Sequence, residues 1–203
     1  MKNKNYPTIV SFFTNDWKYP EYAKKLKKQC DELGLIHHIK KIENQGDYLK
    51  NCCYKPTFIY ESLNELKTDI LWIDVDGTIL KTPDLLKETK FNKIDFAAKK
   101  MNVNRSRTWH VGTMWFNYTK PMLSFLEKWI ELTGSLSDES SLEHAWKLHK
   151  NTIKTYDLPQ EYFIIPKWHG KNTKNVVISH TISDGESKKK VMQERKSKKR
   201  KQK

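Results

Sequence analysis

The first 77 residues alternate between two kinds of pattern, and that alternation limits the fold more than any other feature of the chain. PTIVSFFT (7–14), HHIKKI (37–42) and TDILWIDVDG (68–77) are short runs rich in β-branched and aromatic residues, as strands are. Between the first two, YPEYAKKLKKQCDELG (19–34) repeats Tyr22, Leu26, Cys30 and Leu33 at helical spacing and stops at Gly34. Between the second and third, KPTFIYESLNELK (55–67) has Pro56 in its first turn and an apolar stripe of Ile59, Leu63 and Leu66. The order strand, helix, strand, helix, strand predicts an α/β fold with an open, mostly parallel central sheet flanked by helices. In such sheets ligands bind beyond the carboxyl ends of the strands.

The third strand ends there in two carboxylates. ILWI leads directly into Asp74, with Asp76 one residue further and Gly77 after it. Asp-Gly alone signals a turn. A carboxylate at the end of a buried strand needs a partner, however, and a second one beside it raises the electrostatic cost. A divalent cation relieves both, and hard oxygen ligands suit Mg²⁺ or Mn²⁺.

Downstream, DFAAKKM (95–101) and WHVGTMWFN (109–117) read as strands, the second with Gly112 available for close backbone approach. KPMLSFLEKWIELTG (120–134) is a helix, and Ser137 or Asp138 can cap another over DESSLEHAWKLHK. YFIIP (162–166) and VVISH (176–180) read as late strands.

The chain has 203 residues and a formal charge of +14. Residues 187–203 carry ten Lys or Arg against one Glu, so residues 1–186 hold only +5. The expected organisation is one domain over 1–186 and a basic, disordered tail over 187–203. That tail would bind nucleic acid or an anionic surface in a salt-dependent way. Three cysteines give no disulfide framework, and no run approaches the ~20 apolar residues of a membrane span. A cytoplasmic protein is expected, and the abundance of Lys and Asn points to an AT-rich, viral genome. Adjacent His37 and His38 point to opposite faces of a strand and make a poor metal pair. With His110 they are read as structural, and no cysteine is assigned a role in catalysis.

Two families share the acidic phrase. IDVDGTIL resembles the first motif of haloacid dehalogenase-type phosphatases, in which Asp74 would be the nucleophile and Asp76 the acid and base. The late segment Ser183-Asp184-Gly185-Glu186 does not match that family's second acidic pair, and two strands precede the motif here instead of none. The run from 7 to 182 resembles the nucleotide-diphospho-sugar transferases of the GT-A fold more fully. The shared features are a first strand ending at Phe13-Thr14, a Tyr-rich helix, a Lys55-Pro56-x-x-Ile59 helix start, an apolar strand into D-x-D, and the proline-led TPDLL. GTMWFN (112–117), the segment LTGSLSDESSLEHAW, and LPQEYF followed by VVISH continue the likeness in the same order. Gly77-Thr78 is the departure.

That resemblance implies a metal-dependent glycosyltransferase taking a nucleotide-sugar donor, a UDP-sugar before a GDP-sugar, and an unknown glycan, protein or small-molecule acceptor. The metal, Mn²⁺ or Mg²⁺, would bind Asp76 directly, with Asp74 sharing it, binding through water or holding the ribose, and with His180 completing the set. Lys55 would pair with phosphate. Thr14 and Asp16 would contact base or ribose, and Gly112 and Thr113 would line the donor-sugar pocket. Asp138 and Glu139 would contact the acceptor or act as base; for Asp138, helix capping is the competing role.

Overall fold

A computed structural model of the chain describes residues 5–101, 107–134, 136–170 and 174–181. The tail expected over 187–203 lies outside the described residues.

The opening alternation folds as the pattern requires. Strand β1 (Thr8–Phe13) leads into helix α1 (Tyr19–Glu32), which starts with Pro20 and Glu21 in its first turn. Gly34, in the left-handed region at φ 66°, turns the chain into β2 (His37–Lys41). A short helix, α2 (Tyr48–Cys53), follows, capped by Asp47, whose carboxylate accepts the Lys50 N–H at 2.9 Å. Then come α3 (Lys55–Leu66) and β3 (Ile70–Ile73), and immediately a three-residue strand, β4 (Gly77–Ile79). The second half supplies β5 (Phe96–Lys100), β6 (Trp109–Phe116), α4 (Lys120–Thr133), α5 (Asp138–His149), β7 (Thr155–Asp157), α6 (Pro166–His169) and β8 (Ile178–His180).

The main sheet has the order β2-β1-β3-β6-β5-β7. Only β6 runs antiparallel to its neighbours, so the sheet is mostly parallel, as expected. Period-two alternation divides each strand between two cores. Val10, Trp72 and Phe96 pack with Ile59 and Leu63 of α3 and with Phe125 and Trp129 of α4. Ile9, Leu71 and Ala97 pack on the other face with Leu26 and Cys30 of α1. A fully buried side chain of this size contributes about 1.5–3 kcal/mol.

Two expected strands differ. YFIIP is not a strand: Gln160–Tyr162 is a 3-10 turn, Ile164 makes a single bridge to Ser179, and Pro166 opens α6. VVISH shortens to Ile178–His180 and pairs antiparallel with β4, forming a second, two-stranded sheet. α2, β4 and β7 are too short to show a period and were not expected.

Trp129 ties α4 to α5. Its indole N–H lies 3.0 Å from both the Asp138 carbonyl and the Ser141 hydroxyl, fully buried. Trp129→Phe keeps most of the packing and removes this donor, while the Ser141 hydroxyl still donates to the Asp138 carbonyl at 3.0 Å, so urea denaturation should show a loss of about 0.5–1.5 kcal/mol.

Candidate active site

The site begins where β3 stops. The Asp74 N–H donates to the Gly112 carbonyl of β6 at 2.9 Å, and the Gly77 N–H donates back to the Asp74 carbonyl at 2.7 Å. Residues 74–77 thus form a tight turn holding both carboxylates at the carboxyl tip of β3, and the chain leaves it directly as β4. A Cβ on Gly77 would lie 2.5 Å from Ile73 Cγ2 and 2.9 Å from the Asp74 carbonyl oxygen, so no side chain fits. The Gly77-Thr78 continuation is therefore explained by packing: Thr78 starts the edge that β8 covers.

Lys55 is the residue that organises the site. Placed at the first position of α3 and only 5% exposed, its ammonium lies 3.0 Å from Asp74 Oδ1 and 3.0 Å from Asp138 Oδ2. It also reaches the Val111 carbonyl at 3.4 Å. Burial alone would favour loss of its proton, but Asp74 and Asp138 outweigh that and raise its pKa, so it stays an ammonium. Trp72 completes the cradle, donating from Nε1 to Asp74 Oδ1 at 2.9 Å.

Asp138 reaches Lys55 because it does not cap α5. Ser137 does, its hydroxyl accepting the Ser140 N–H at 3.3 Å. Glu139, one residue on, faces elsewhere and forms an ion pair with Arg107. Glu143, which the sequence did not single out, is buried and accepts the Thr108 N–H at 2.6 Å and its hydroxyl at 3.1 Å. The first two turns of α5 thus clamp the chain entering β6. Both expected base candidates, Asp138 and Glu139, are held by cations.

His180 occupies a slot made by two glycines. A Cβ on Gly112 would come within 2.8 Å of the Phe163 ring and 3.1 Å of His180 Cε1, and one on Gly77 within 3.3 Å of the same His180 carbon. His180 Nε2 and the Thr113 hydroxyl are hydrogen-bonded at 2.7 Å. The Phe163 ring packs at 4.9 Å from His180 and stacks on His110 at 4.1 Å. Thr113 is fully buried beneath this layer. Burial lowers the His180 pKa to about 4, with Asp74 opposing the shift and Lys55 adding to it, so the ring is neutral at pH 7.

The α2 helix, also absent from the sequence reading, lies against the same centre. Tyr48 and the Cys52 thiol are hydrogen-bonded, and burial, helped by Asp138, pushes the thiol up to about 12. Cys52 is thus no nucleophile at neutral pH. At the neighbouring tip of β1, Thr14 is buried and Asp16 has a buried Oδ1 with no hydrogen-bond partner among the described residues. Trp17 follows in the left-handed region at φ 52°, its ring packed edge-on against Tyr19 and Tyr22.

The donor set can be weighed against a divalent cation. Asp74 uses Oδ1 for Lys55 and Trp72, while its Oδ2 takes no hydrogen bond among the described residues; Asp76 sits half-buried in the same turn. These hard oxygens fit Mg²⁺ or Mn²⁺. Among the described residues no group of three His, Cys, Asp or Glu is placed to hold a metal, and the His180 Nε2 is engaged by Thr113.

No family model matches the sequence, and no curated protein does. Solved structures do match. A glycosyltransferase involved in the glycosylation of the major capsid of PBCV-1 superposes with a TM-score of 0.65 at 13% identity, over 92% of this chain and 98% of that one. The glycosyltransferase GlyE of Streptococcus pneumoniae TIGR4 gives 0.61 at 15% identity, and the bifunctional glycosyltransferase WbbM 0.59 at 11%. The chain has a GT-A-type glycosyltransferase fold. It covers nearly the whole of the first structure but only about half of the other two, 55% and 47%. In this glycosyltransferase fold the D-x-D turn, Lys55 and the β1 tip lie together on the carboxyl edge of the sheet.

Two consequences can be measured. Lys55→Met leaves two carboxylates facing each other with no cation, and should cost about 3–5 kcal/mol in urea denaturation. Adding Asp138→Asn should restore part of that loss. His180 gives a pH signature. Its folded pKa lies below its unfolded value near 6.5, so the unfolded chain takes up the proton first as pH falls. Its stabilising contribution is complete above pH 6.5 and is lost progressively down to pH 4, by up to about 3 kcal/mol. His180→Gln should flatten the stability profile across that window.

Proposed function

We propose that the chain is a metal-dependent glycosyltransferase that moves a sugar from a nucleotide-diphosphate donor, in first place a UDP-sugar, to an acceptor hydroxyl. The observation that carries this reading is the tight 74–77 turn. It presents two carboxylates at the carboxyl tip of β3, with one oxygen of Asp74 fixed by a buried ammonium and the other taking no hydrogen bond among the described residues.

Asp76 and the open Oδ2 of Asp74 would hold Mn²⁺ or Mg²⁺, which supplies a counter-charge for the departing diphosphate. Lys55 fixes the Asp74 carboxylate and keeps Asp138 beside it, so the tip is preorganised before the donor arrives. Asp16, with its orphaned buried oxygen, and Thr14 suit the ribose or base, since a donor hydroxyl or N–H would satisfy that atom. The edge-packed rings at Trp17 and Tyr19 give that end of the crevice an apolar wall. Asp138 or Glu139 could accept the acceptor proton only by giving up an ion pair. The basic tail would add binding to polyanions without taking part in the transfer.

A thermal-shift series with UDP- and GDP-sugars tests this reading. Stabilisation that requires Mn²⁺ is expected, unchanged in a chain ending at residue 186 and absent in Asp76→Ala. A shift retained by Asp76→Ala removes the metal assignment. A response to fluoroberyllate in place of sugar nucleotides points instead to a phosphatase with Asp74 as nucleophile.

A further inference from the structure

A second cleft lies at the other edge of the sheet. Asp69, which leads into β3, and Asn117, which follows β6, both line it, so it sits at the amino end of the strand whose carboxyl end carries the D-x-D turn. At about 3.3 Å per residue, Asp69 and Asp74 are roughly 15 Å apart along that strand. The remaining walls are residues 67–68, after α3, and two 3-10 turns, Asp84–Lys87 and Thr89–Lys93. The cleft measures about 350 Å³, within the range of about 300–1,000 Å³ that small-molecule sites occupy.

Its polar groups are fixed in place. The Trp115 indole N–H donates to Asp69 Oδ2 at 3.0 Å, and the Thr68 hydroxyl donates to Asp69 Oδ1 at 3.1 Å. Asn117 is held by its own donors: its backbone N–H meets the Asp95 carbonyl at 2.9 Å and its side-chain amide the Ile94 carbonyl at 3.0 Å. Its Oδ1 accepts no hydrogen bond among the described residues, and the exposed Asn92 amide makes none there either. Lys67 ends α3 in the left-handed region, at φ 51° and ψ 36°, a backbone that glycine takes without strain. Its ammonium forms no ion pair among the described residues.

We propose that this cleft is a second binding site, separate from the donor site, for a neutral mono- or disaccharide. Two of its charged side chains are already paired, Lys87 with Asp84 and Glu88 with Lys90. That leaves Lys67 and Asp69, one of each sign, and no net charge to select an anion or a cation. The lining rings of Trp115 and Phe91 are each only 2% exposed, so they offer little surface to an apolar ligand. What remains is a set of acceptors, Asp69 and Asn117 Oδ1, beside a set of donors, the Lys67 ammonium and the Asn92 amide. A sugar hydroxyl both donates and accepts, so one polyhydroxy ring can satisfy groups of both kinds at once. The site does not depend on the transferase reading, since a sugar held here is too far from the D-x-D turn to be the group transferred.

The test uses the full chain and saturation-transfer difference spectra. The probes are methyl glycosides of glucose, galactose, mannose and N-acetylglucosamine, with maltose, cellobiose and lactose. At least one should bind saturably with UDP and Mn²⁺ present, and equally well to Asp76→Ala. Lys67→Gly suits the left-handed backbone, so it removes the ammonium and keeps the fold. That variant and Asn92→Ala should each bind the same sugar about tenfold more weakly while keeping the nucleotide-sugar thermal shift. The proposal is overturned if no sugar binds, if either variant binds as tightly as the parent chain, or if binding disappears in Asp76→Ala. Displacement of the sugar by inorganic phosphate also overturns it and makes the cleft an anion site. The two readings fail separately. A nucleotide-sugar response with no sugar bound at the cleft removes the second site alone. Sugar binding at the cleft without a nucleotide-sugar response supports the second site and removes the transferase.

Discussion

A single buried ammonium holds this site in shape. Lys55 sits where α3 begins, β3 ends and α5 begins, and it contacts a carboxylate from each of the last two. Neither Asp74 nor Asp138 would be stable so close to the other without it. The arrangement also explains why α5 starts where it does. With Ser137 as cap, Asp138 falls on the first helical turn with its carboxylate turned toward α3, and Trp129 fixes that turn by binding its carbonyl. Electrostatic need and helix packing settle the same few atoms.

The opposite side of the D-x-D turn is secured by sterics instead of charge. Gly77 and Gly112 together leave room for one imidazole, and His180 fills it. Because β8 arrives from the end of the described chain to pair with β4, the turn is closed by a segment about 100 residues away. Helix α1 supports it from beneath: Lys25 Nζ reaches the Thr78 hydroxyl at 3.0 Å, and Gln29 accepts the Ile79 N–H at 3.2 Å. A neutral, buried His180 suits this wedge role, since a charged ring would carry its own desolvation cost into the slot.

What the sequence revealed followed from periodicity and position. β1, α1, β2, α3, β6 and α4 fall within a residue or two of their expected limits, because each is long enough to show a period or is marked by Pro or Gly, whereas β3 stops at Ile73, four residues short of its expected end, because residues 74–77 turn. Asp74 and Asp76 were legible because a buried strand delivered them to a sheet's carboxyl edge. The partners of Lys55 were not, since nothing in KPTF reveals that α5 will lie across α3. The same holds for Glu143 and for α2, whose six residues show no stripe and whose cap, Asp47, is one acidic residue in a polar loop. His180 was visible as a histidine after a late strand. Its engagement with Thr113 depends on two glycines 35 residues apart and could not be read from spacing.

The Gly-Thr that follows the acidic pair shows how one phrase can serve two architectures. In a phosphatase reading, D-x-D-G-T marks the loop that receives phosphate. Here the glycine is required because Ile73 Cγ2 would lie 2.5 Å from any Cβ, and the threonine hydroxyl accepts from Lys25 at 3.0 Å on that edge. Neither contact involves a ligand. The discriminating feature is what the chain does next: it enters a three-residue strand that pairs with the last one, and so commits the turn to a second sheet. A short motif at a strand end therefore identifies chemistry only together with the element that closes it. In this protein that element is β8, and its wedge is His180.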